Sequence, residues 1–203
     1  MQLLIATKNP KKRRELTLLL APHDIQVLSP AEVGPLPEVV EDQPTFALNA
    51  AKKAQSAAKA SGLWALADDS GLEVDALEGG PGVLSARYAG DPPDDARNNA
   101  KLLEALAGLP RDKRAARFVC ALALARPDGT LAFECEGVAS GRILPAPRGT
   151  GDFGYDPLFL FTEPGFQQNN RGFAELSGSE KAAVSHRGRA LRILMTKLPK
   201  LMP

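Results

Sequence analysis

The chain opens on an apolar run, Leu3-Leu4-Ile5-Ala6, that turns polar at Thr7-Lys8-Asn9. A short apolar run closed by polar residues predicts a buried strand. Asn9 is a good helix cap and Pro10 a good first helical residue, so a helix is predicted over 10–20. The proline-rich stretch 29–44 predicts irregular or edge structure. Thr45 can cap a second helix, with Gly62 placed to end it. Trp64-Ala65-Leu66-Ala67 is apolar and stops at Asp68-Asp69-Ser70-Gly71, after which Leu72-Glu73-Val74 resumes an extended pattern. Leu102, Leu103 and Leu106 lie on one stripe and predict a third helix over 95–107, ended at Gly108. Apolar runs at 118–125 and 131–140 flank Pro127-Asp128-Gly129 and predict a hairpin. A glycine- and proline-rich loop follows over 145–157, and Leu191, Leu194, Met195 and Leu198 share one face of a last helix over 185–198. This order of elements predicts a mixed α/β protein.

Composition narrows the class. At 203 residues, 44% hydrophobic and 24% charged, the chain can bury a sizeable core in one large domain or two small lobes. A formal net charge of +1 argues against broad electrostatic binding to nucleic acid or an anionic membrane, so any anion site must be local. No apolar run approaches the roughly 20 residues that span a bilayer, and the apolar N-terminus is too short for an export signal. With two cysteines, Cys120 and Cys135, on what read as neighbouring strands, the expectation is a pair of buried thiols in a reducing cytoplasm. Two histidines and two cysteines at these spacings make no zinc site.

Four segments carry candidate chemistry. Lys11, Lys12, Arg13 and Arg14 crowd the first turn of the first helix, where the macrodipole disfavours cations. A bound anion would resolve that conflict, with backbone N–H groups and Lys12 gripping phosphate oxygens. A solvated basic face is the ordinary alternative. Adjacent acids Asp68 and Asp69 are costly to bury without cations, and in an extended chain they point to opposite faces. A hard oxygen donor here suits Mg²⁺, with Glu41 as a second carboxylate; an acid pair taken alone is more often a turn or cap. Gly149-Thr150-Gly151-Asp152-Phe153-Gly154 spells the dinucleotide fingerprint, yet flanking Pro145, Pro147 and Pro157 deny it a strand before and a helix after. A glycine loop presenting Phe153 or Tyr155 to a nucleobase fits better, although core packing is the usual fate of both rings. Lys181, His186 and Arg187 form a donor cluster with no acid cluster beside it in sequence.

Taken together these stretches resemble the Ham1/inosine triphosphate pyrophosphatase family. The resemblance rests on Thr7-Lys8-Asn9-Pro10-Lys11-Lys12, Glu41-Asp42 with Thr45-Phe46, Asn49-Ala50 with Lys53-Ala54, and Ala67-Asp68-Asp69-Ser70-Gly71-Leu72. It continues with residues 81–88, Phe153-Gly154-Tyr155-Asp156-Pro157 and Ser185-His186-Arg187-Gly188, in the family's order. The resemblance implies a mixed, elongated, twisted sheet flanked by helices, one domain over 1–203 in two lobes with a nucleotide cleft between them, and a homodimer. It implies hydrolysis of inosine and xanthosine triphosphates to monophosphate and pyrophosphate. The triphosphate would be held by Thr7, Lys8, Asn9, Pro10, Lys11, Lys12 and Lys53, and Mg²⁺ by Glu41 and Asp69. Asp69 would take the proton of the attacking water or direct it through the metal. Ser70, Phe153, Gly154, Tyr155, Asp156, Lys181, His186 and Arg187 would complete the substrate site. Two departures stand out: Leu48 replaces a frequent Glu, and Asp152 a frequent Gly. The alternatives are a Maf-like pyrophosphatase of other modified nucleotides, which shares the basic loop but not the 153–156 and 185–187 motifs, and a non-catalytic nucleotide sensor, which would not need both acids.

Overall fold

The computed structural model describes residues 2–21, 23, 25–151 and 153–202; Asp152 lies outside them. Six strands, β1 (Gln2–Ile5), β2 (Gln26–Leu28), β3 (Ala65–Val74), β4 (Ala115–Ala125), β5 (Leu131–Ile143) and β6 (Phe159–Phe161), form one sheet in the order β2-β1-β3-β4-β5-β6. It is mixed: β1 pairs parallel with β2, opposing Leu3 to Val27, and with β3, opposing Leu4 to Ala65, whereas β5 and β6 are antiparallel. Among the described residues six α-helices accompany it, α1 (Pro10–Leu20), α2 (Pro30–Val33), α3 (Phe46–Ser61), α4 (Asp95–Ala105), α5 (Gly178–Val184) and α6 (His186–Leu201). None is long and apolar enough to cross a membrane among the described residues.

The chain divides into two compact units. The first is Met1–Asp69, Cys120–Gly137 and Arg187–Pro203; the second is Ser70–Val119 and Val138–His186. The chain passes from one to the other inside β3, β4 and β5, so no composition shift marks the boundary. Each unit has its own core. In the first, Leu3 and Ile5 of β1 and Cys120, Leu122 and Leu124 of β4 recur at the strand period of two. They pack with Leu16 and Leu20 of α1 and Leu191, Leu194 and Leu198 of α6. Ala121, Ala123 and Ala125 on the other face of β4 are buried as well, as expected of a strand covered on both sides. In the second, Phe118, Phe159, Phe161 and Phe173 cluster with Leu72, Leu102, Leu158 and Val184.

Local chemistry explains the helix ends. The Asn9 side chain accepts from the N–H groups of Lys11 at 2.9 Å and Lys12 at 3.1 Å, so α1 begins where the sequence predicts. Thr45 caps α3 through the Leu48 N–H, and Gly62 ends it at φ 68°, a left-handed conformation that favours glycine. Leu48 itself is exposed.

Several expectations are corrected. Asp68-Asp69-Ser70-Gly71 does not end a strand: β3 runs unbroken for 10 residues through it, because the carboxylates meet cations rather than forcing a turn. The single turn α2 lies in the stretch 29–44 read as irregular or edge structure, and β2, β6 and α5 fall where no element was predicted. Helix α4 stops at Ala105, two residues early, and β4 and β5 each extend three residues beyond the predicted hairpin arms. Both cysteines are free thiols. Burial pushes Cys120 up to about 12 and Cys135 up to about 11, so both stay protonated.

Candidate active site

In the first unit three elements bring acids and bases together. The N-terminal turns of α1 supply Lys12 and, three residues on and so on the same face, Glu15. The middle of β3 supplies Asp68 and Asp69, and α3 supplies Lys53. The alternation of β3 sends the two aspartates to different partners. Asp68, with a fully buried side chain, receives Lys12 Nζ at 3.3 Å and the Arg187 guanidinium at 3.1 Å and 3.3 Å. Arg187, 1% exposed, also pairs with Glu15. Burial alone would raise the Asp68 carboxyl, but Lys12 and then Arg187 hold it well below the usual carboxylate range. Asp69 sits differently. Its Oδ1 takes Lys53 Nζ at 3.3 Å, and its Oδ2 is buried with no hydrogen-bond partner among the described residues. Burial pushes its carboxyl up, with the Glu41 charge adding to the rise and Lys53 and Lys12 opposing it.

Lys53 Nζ also meets Glu41 Oε1 at 2.8 Å, so one ammonium bridges two carboxylates from separate segments. Glu41 lies in coil, yet the coil is tied down by α3. Asn49, 1% exposed, accepts from the Gln43 N–H at 3.0 Å, and Lys52 donates to the Val40 carbonyl at 2.9 Å and pairs with Asp42 at 2.7 Å. Residues 49, 52 and 53 thus make one helix face into a clamp for the segment that carries Glu41.

The basic loop looks less like an amide cradle than its sequence suggested. Asn9 occupies the Lys11 and Lys12 N–H groups, and Thr7 Oγ1 accepts from the Asn9 N–H at 3.2 Å. The lysine side chains are therefore the better phosphate donors. Lys8 is exposed and pairs with exposed Glu38; Pro10 and Lys11 are exposed, and Lys12 is half-buried.

In the second unit Lys181 pairs with buried Asp156 and lies over the Phe153 ring, 4.9 Å from its centroid. A lysine on an aromatic face with its charge partly matched is well placed to donate to a ligand beside the ring. Gly154 is gripped from both sides: Asp95 accepts from its N–H at 3.0 Å and Asn99 donates to its carbonyl at 2.8 Å. Tyr155 is core rather than platform, 4% exposed with its hydroxyl on the Ser85 carbonyl at 2.8 Å, which leaves Phe153 as the ring for stacking. His186 is buried and stacks on Phe118 at 4.8 Å. Ser70, the residue after Asp69, is half-buried in β3.

The structure thus brings together Lys12, Glu41, Lys53 and Asp69 in one unit, and Phe153, Gly154, Asp156 and Lys181 in the other. The Arg187 guanidinium pairs with Asp68 and Glu15. The acids these donors meet come from elsewhere in the chain: Lys181 has Asp156, and Arg187 has Asp68 and Glu15. Glu15, Asp95 and Asn99 were not singled out from sequence. Only Glu15 left a trace, its spacing from Lys12.

Comparison with known proteins gives this arrangement a family. The model of the Ham1 family matches residues 3–197. A dITP/XTP pyrophosphatase of Desulforamulus reducens is 52% identical over 201 residues, covering 99% of this chain and 97% of that protein. One from Lactiplantibacillus plantarum is 51% identical over 195 residues, 96% of this chain and 93% of the other. Among solved structures, a HAM1 protein from Coxiella burnetii superposes with a TM-score of 0.86 at 40% identity, covering 98% of this chain and 99% of that one. A nucleoside-triphosphatase / dITP/XTP pyrophosphatase from Mycobacterium abscessus gives a TM-score of 0.75 at 45% identity, over 96% and 99%. The chain belongs to the Ham1 family, and its mixed sheet with flanking helices is the fold of those neighbours.

Proposed function

We propose that this chain is a nucleoside triphosphate pyrophosphatase that hydrolyses dITP, ITP, XTP and dXTP to the monophosphate and pyrophosphate, clearing them from the nucleotide pool. We further propose that it works with Mg²⁺, as a homodimer in the cytoplasm, and as a single catalytic domain. The observation that carries the reading is the Glu41–Lys53–Asp69 bridge, with one buried oxygen of Asp69 lacking a hydrogen-bond partner among the described residues.

These residues fit a divalent ion of the magnesium kind. Glu41 and Asp69 offer hard oxygens, and no group of three or more His, Cys, Asp or Glu side chains is gathered for a metal among the described residues. Mg²⁺ commonly takes only one or two carboxylates and leaves its other positions to water and substrate phosphates. Bound at Glu41 and Asp69, it would supply positive charge to the phosphate oxygens. Lys12 and Lys53 donate to the triphosphate and offset the charge that builds on the leaving pyrophosphate. Asp69, its basicity raised by burial, orients the water and accepts its proton. The water oxygen bonds to the α-phosphorus as the bond from that phosphorus to the bridging oxygen breaks, and pyrophosphate departs with the electron pair. Phe153 stacks on the base. Lys181, positioned by Asp156, donates to the purine 6-oxo group; adenine presents an amino group there and leaves the donor unmatched, a mismatch that can cost about 10⁴ in specificity.

The test is a chromatographic assay of monophosphate formed from dITP, XTP, dATP and dGTP, with Mg²⁺ and with EDTA. Rapid Mg²⁺-dependent conversion of dITP and XTP, with dATP slower by at least about 10²-fold, is expected; dGTP shares the 6-oxo group, so its rate measures the effect of the 2-amino group. Equal rates on all four, or rates indifferent to EDTA, would refute the assignment.

A further inference from the structure

A single ammonium group occupies the ground between the two carboxylates assigned to the metal. Lys53 Nζ lies 2.8 Å from Glu41 Oε1 and 3.3 Å from Asp69 Oδ1. The Lys53 side chain is only 13% exposed, and that of Asp69 only 7%. Water therefore has little access to the Lys53–Asp69 contact, whereas the Glu41 side chain, 37% exposed, reaches solvent; two acids facing one ammonium repel one another without a cation. Lys53 sits on α3, whose Asn49 and Lys52 bind the segment that carries Glu41.

A divalent ion coordinated by Glu41 and Asp69, even through the Asp69 Oδ2 that has no hydrogen-bond partner among the described residues, would lie within a few ångströms of a like charge. Metal and ammonium compete. The competition ends once Lys53 has another acceptor, and a triphosphate is an acceptor of the right charge. Lys12 repeats the arrangement on the neighbouring acid: it rests on Asp68 at 3.3 Å, while Arg187 stays behind to neutralise that carboxylate when Lys12 turns to phosphate.

We propose that Lys53 is a resident counter-ion of the Glu41–Asp69 pair that admits a divalent metal only when a triphosphate draws its ammonium away, so that metal and nucleotide load together. The idea rests on the metal site assigned above. It predicts a protein with poor affinity for free metal and strong affinity for the metal–nucleotide complex, a discrimination against nucleotide-free metal that the two acids alone would not give.

The test is Mn²⁺ binding without nucleotide, followed by the electron paramagnetic resonance signal of the free ion, in wild type, K53Q, K53R and K53Q/E41Q. K53Q should bind Mn²⁺ at least about tenfold more tightly than wild type, a difference of about 1.4 kcal/mol. K53R, which keeps the positive charge, should stay as weak as wild type, and K53Q/E41Q should lose the gain. Should K53Q be too unstable to isolate folded, Mn²⁺ added during refolding reports the same linkage, since an ion that binds only the folded form stabilises it; recovery of folded protein with the metal supports the proposal. If K53Q and wild type bind Mn²⁺ equally while K53Q/E41Q binds less, the metal site stands and the counter-ion role falls. If E41Q makes no difference in the K53Q background, the metal assignment itself falls, and the proposal with it.

Discussion

Arg187 is the largest charged group sealed in this protein, and removing it is the most informative perturbation of the first unit. Arg187→Met keeps much of the aliphatic stem and deletes the guanidinium. Asp68, its side chain fully buried, then loses contacts at 3.1 Å and 3.3 Å and keeps Lys12 at 3.3 Å. Glu15 loses its partner too, but is partly exposed and can turn to water. Stripping one member from a buried ion pair costs about 3–5 kcal/mol. Because Lys12 stays with Asp68, the lower end applies, near 3 kcal/mol, a large share of the roughly 5–15 kcal/mol that holds a domain together. For a chain of this length that lowers Tm by about 6–12 °C. The assay is urea unfolding followed by the fluorescence of Trp64, the single tryptophan, which packs against the core of this unit. The midpoint should fall by about 1 M. Arg187→Met combined with Asp68→Leu should recover at least half the loss, because the fully buried carboxylate left without its guanidinium is then gone and Lys12, 16% exposed, can turn to water. A loss below about 1 kcal/mol, the worth of an exposed ion pair, or strict additivity in the double variant, would refute the reasoning.

Asp69→Asn should reduce turnover by at least about 10²-fold while Tm holds or rises, because a carboxyl whose folded pKa lies above its unfolded value opposes folding when ionised; a clear fall in Tm would make Asp69 a structural residue. Asp68 works in the opposite sense. Its folded pKa is depressed, so its contribution is present above the ~3.9 of an unfolded aspartate and lost as pH falls through the lower folded value; urea midpoints should drop below about pH 4 in wild type and less steeply in Asp68→Asn. Phe153→Ala should raise KM for dITP by about tenfold with kcat within a few-fold, given about 1–3 kcal/mol for stacking a base on an aromatic ring; an unchanged KM would remove Phe153 from base binding. Lys181→Met should narrow the preference for dITP over dATP measured as kcat/KM, and an undiminished ratio would assign the base reading elsewhere.

Much of this was legible in the chain because local chemistry decides it. Asn9-Pro10 and Thr45 with Gly62 set helix ends within a few residues of themselves, and the structure begins α1 and α3 where those residues predict. What escaped was either too short for a period to register or set by contacts remote in sequence. The three-residue strands β2 and β6 offer no alternation to count. Helix α5 had a readable signal in its capping box, Ser177 with Glu180, but too few residues to show an apolar stripe. The run of β3 through Asp68 and Asp69 depends on Arg187, 119 residues away, and no window along the chain reports such a partner. The same distance hid the fate of Arg187: in sequence it joins His186 and Lys181, whereas in the fold the unit boundary falls between His186 and Arg187. Tyr155 and Phe153 show the limit most plainly, since composition makes both candidate platforms and only packing separates the buried ring from the available one.

The most direct trial of the account is a crystal structure of Asp69→Asn grown with dITP and Mg²⁺. The account predicts the triphosphate against Lys12 and Lys53, the ion at Glu41 and residue 69, and the base on Phe153 within reach of Lys181. A nucleotide bound away from Glu41, Lys53 and residue 69 would contradict it.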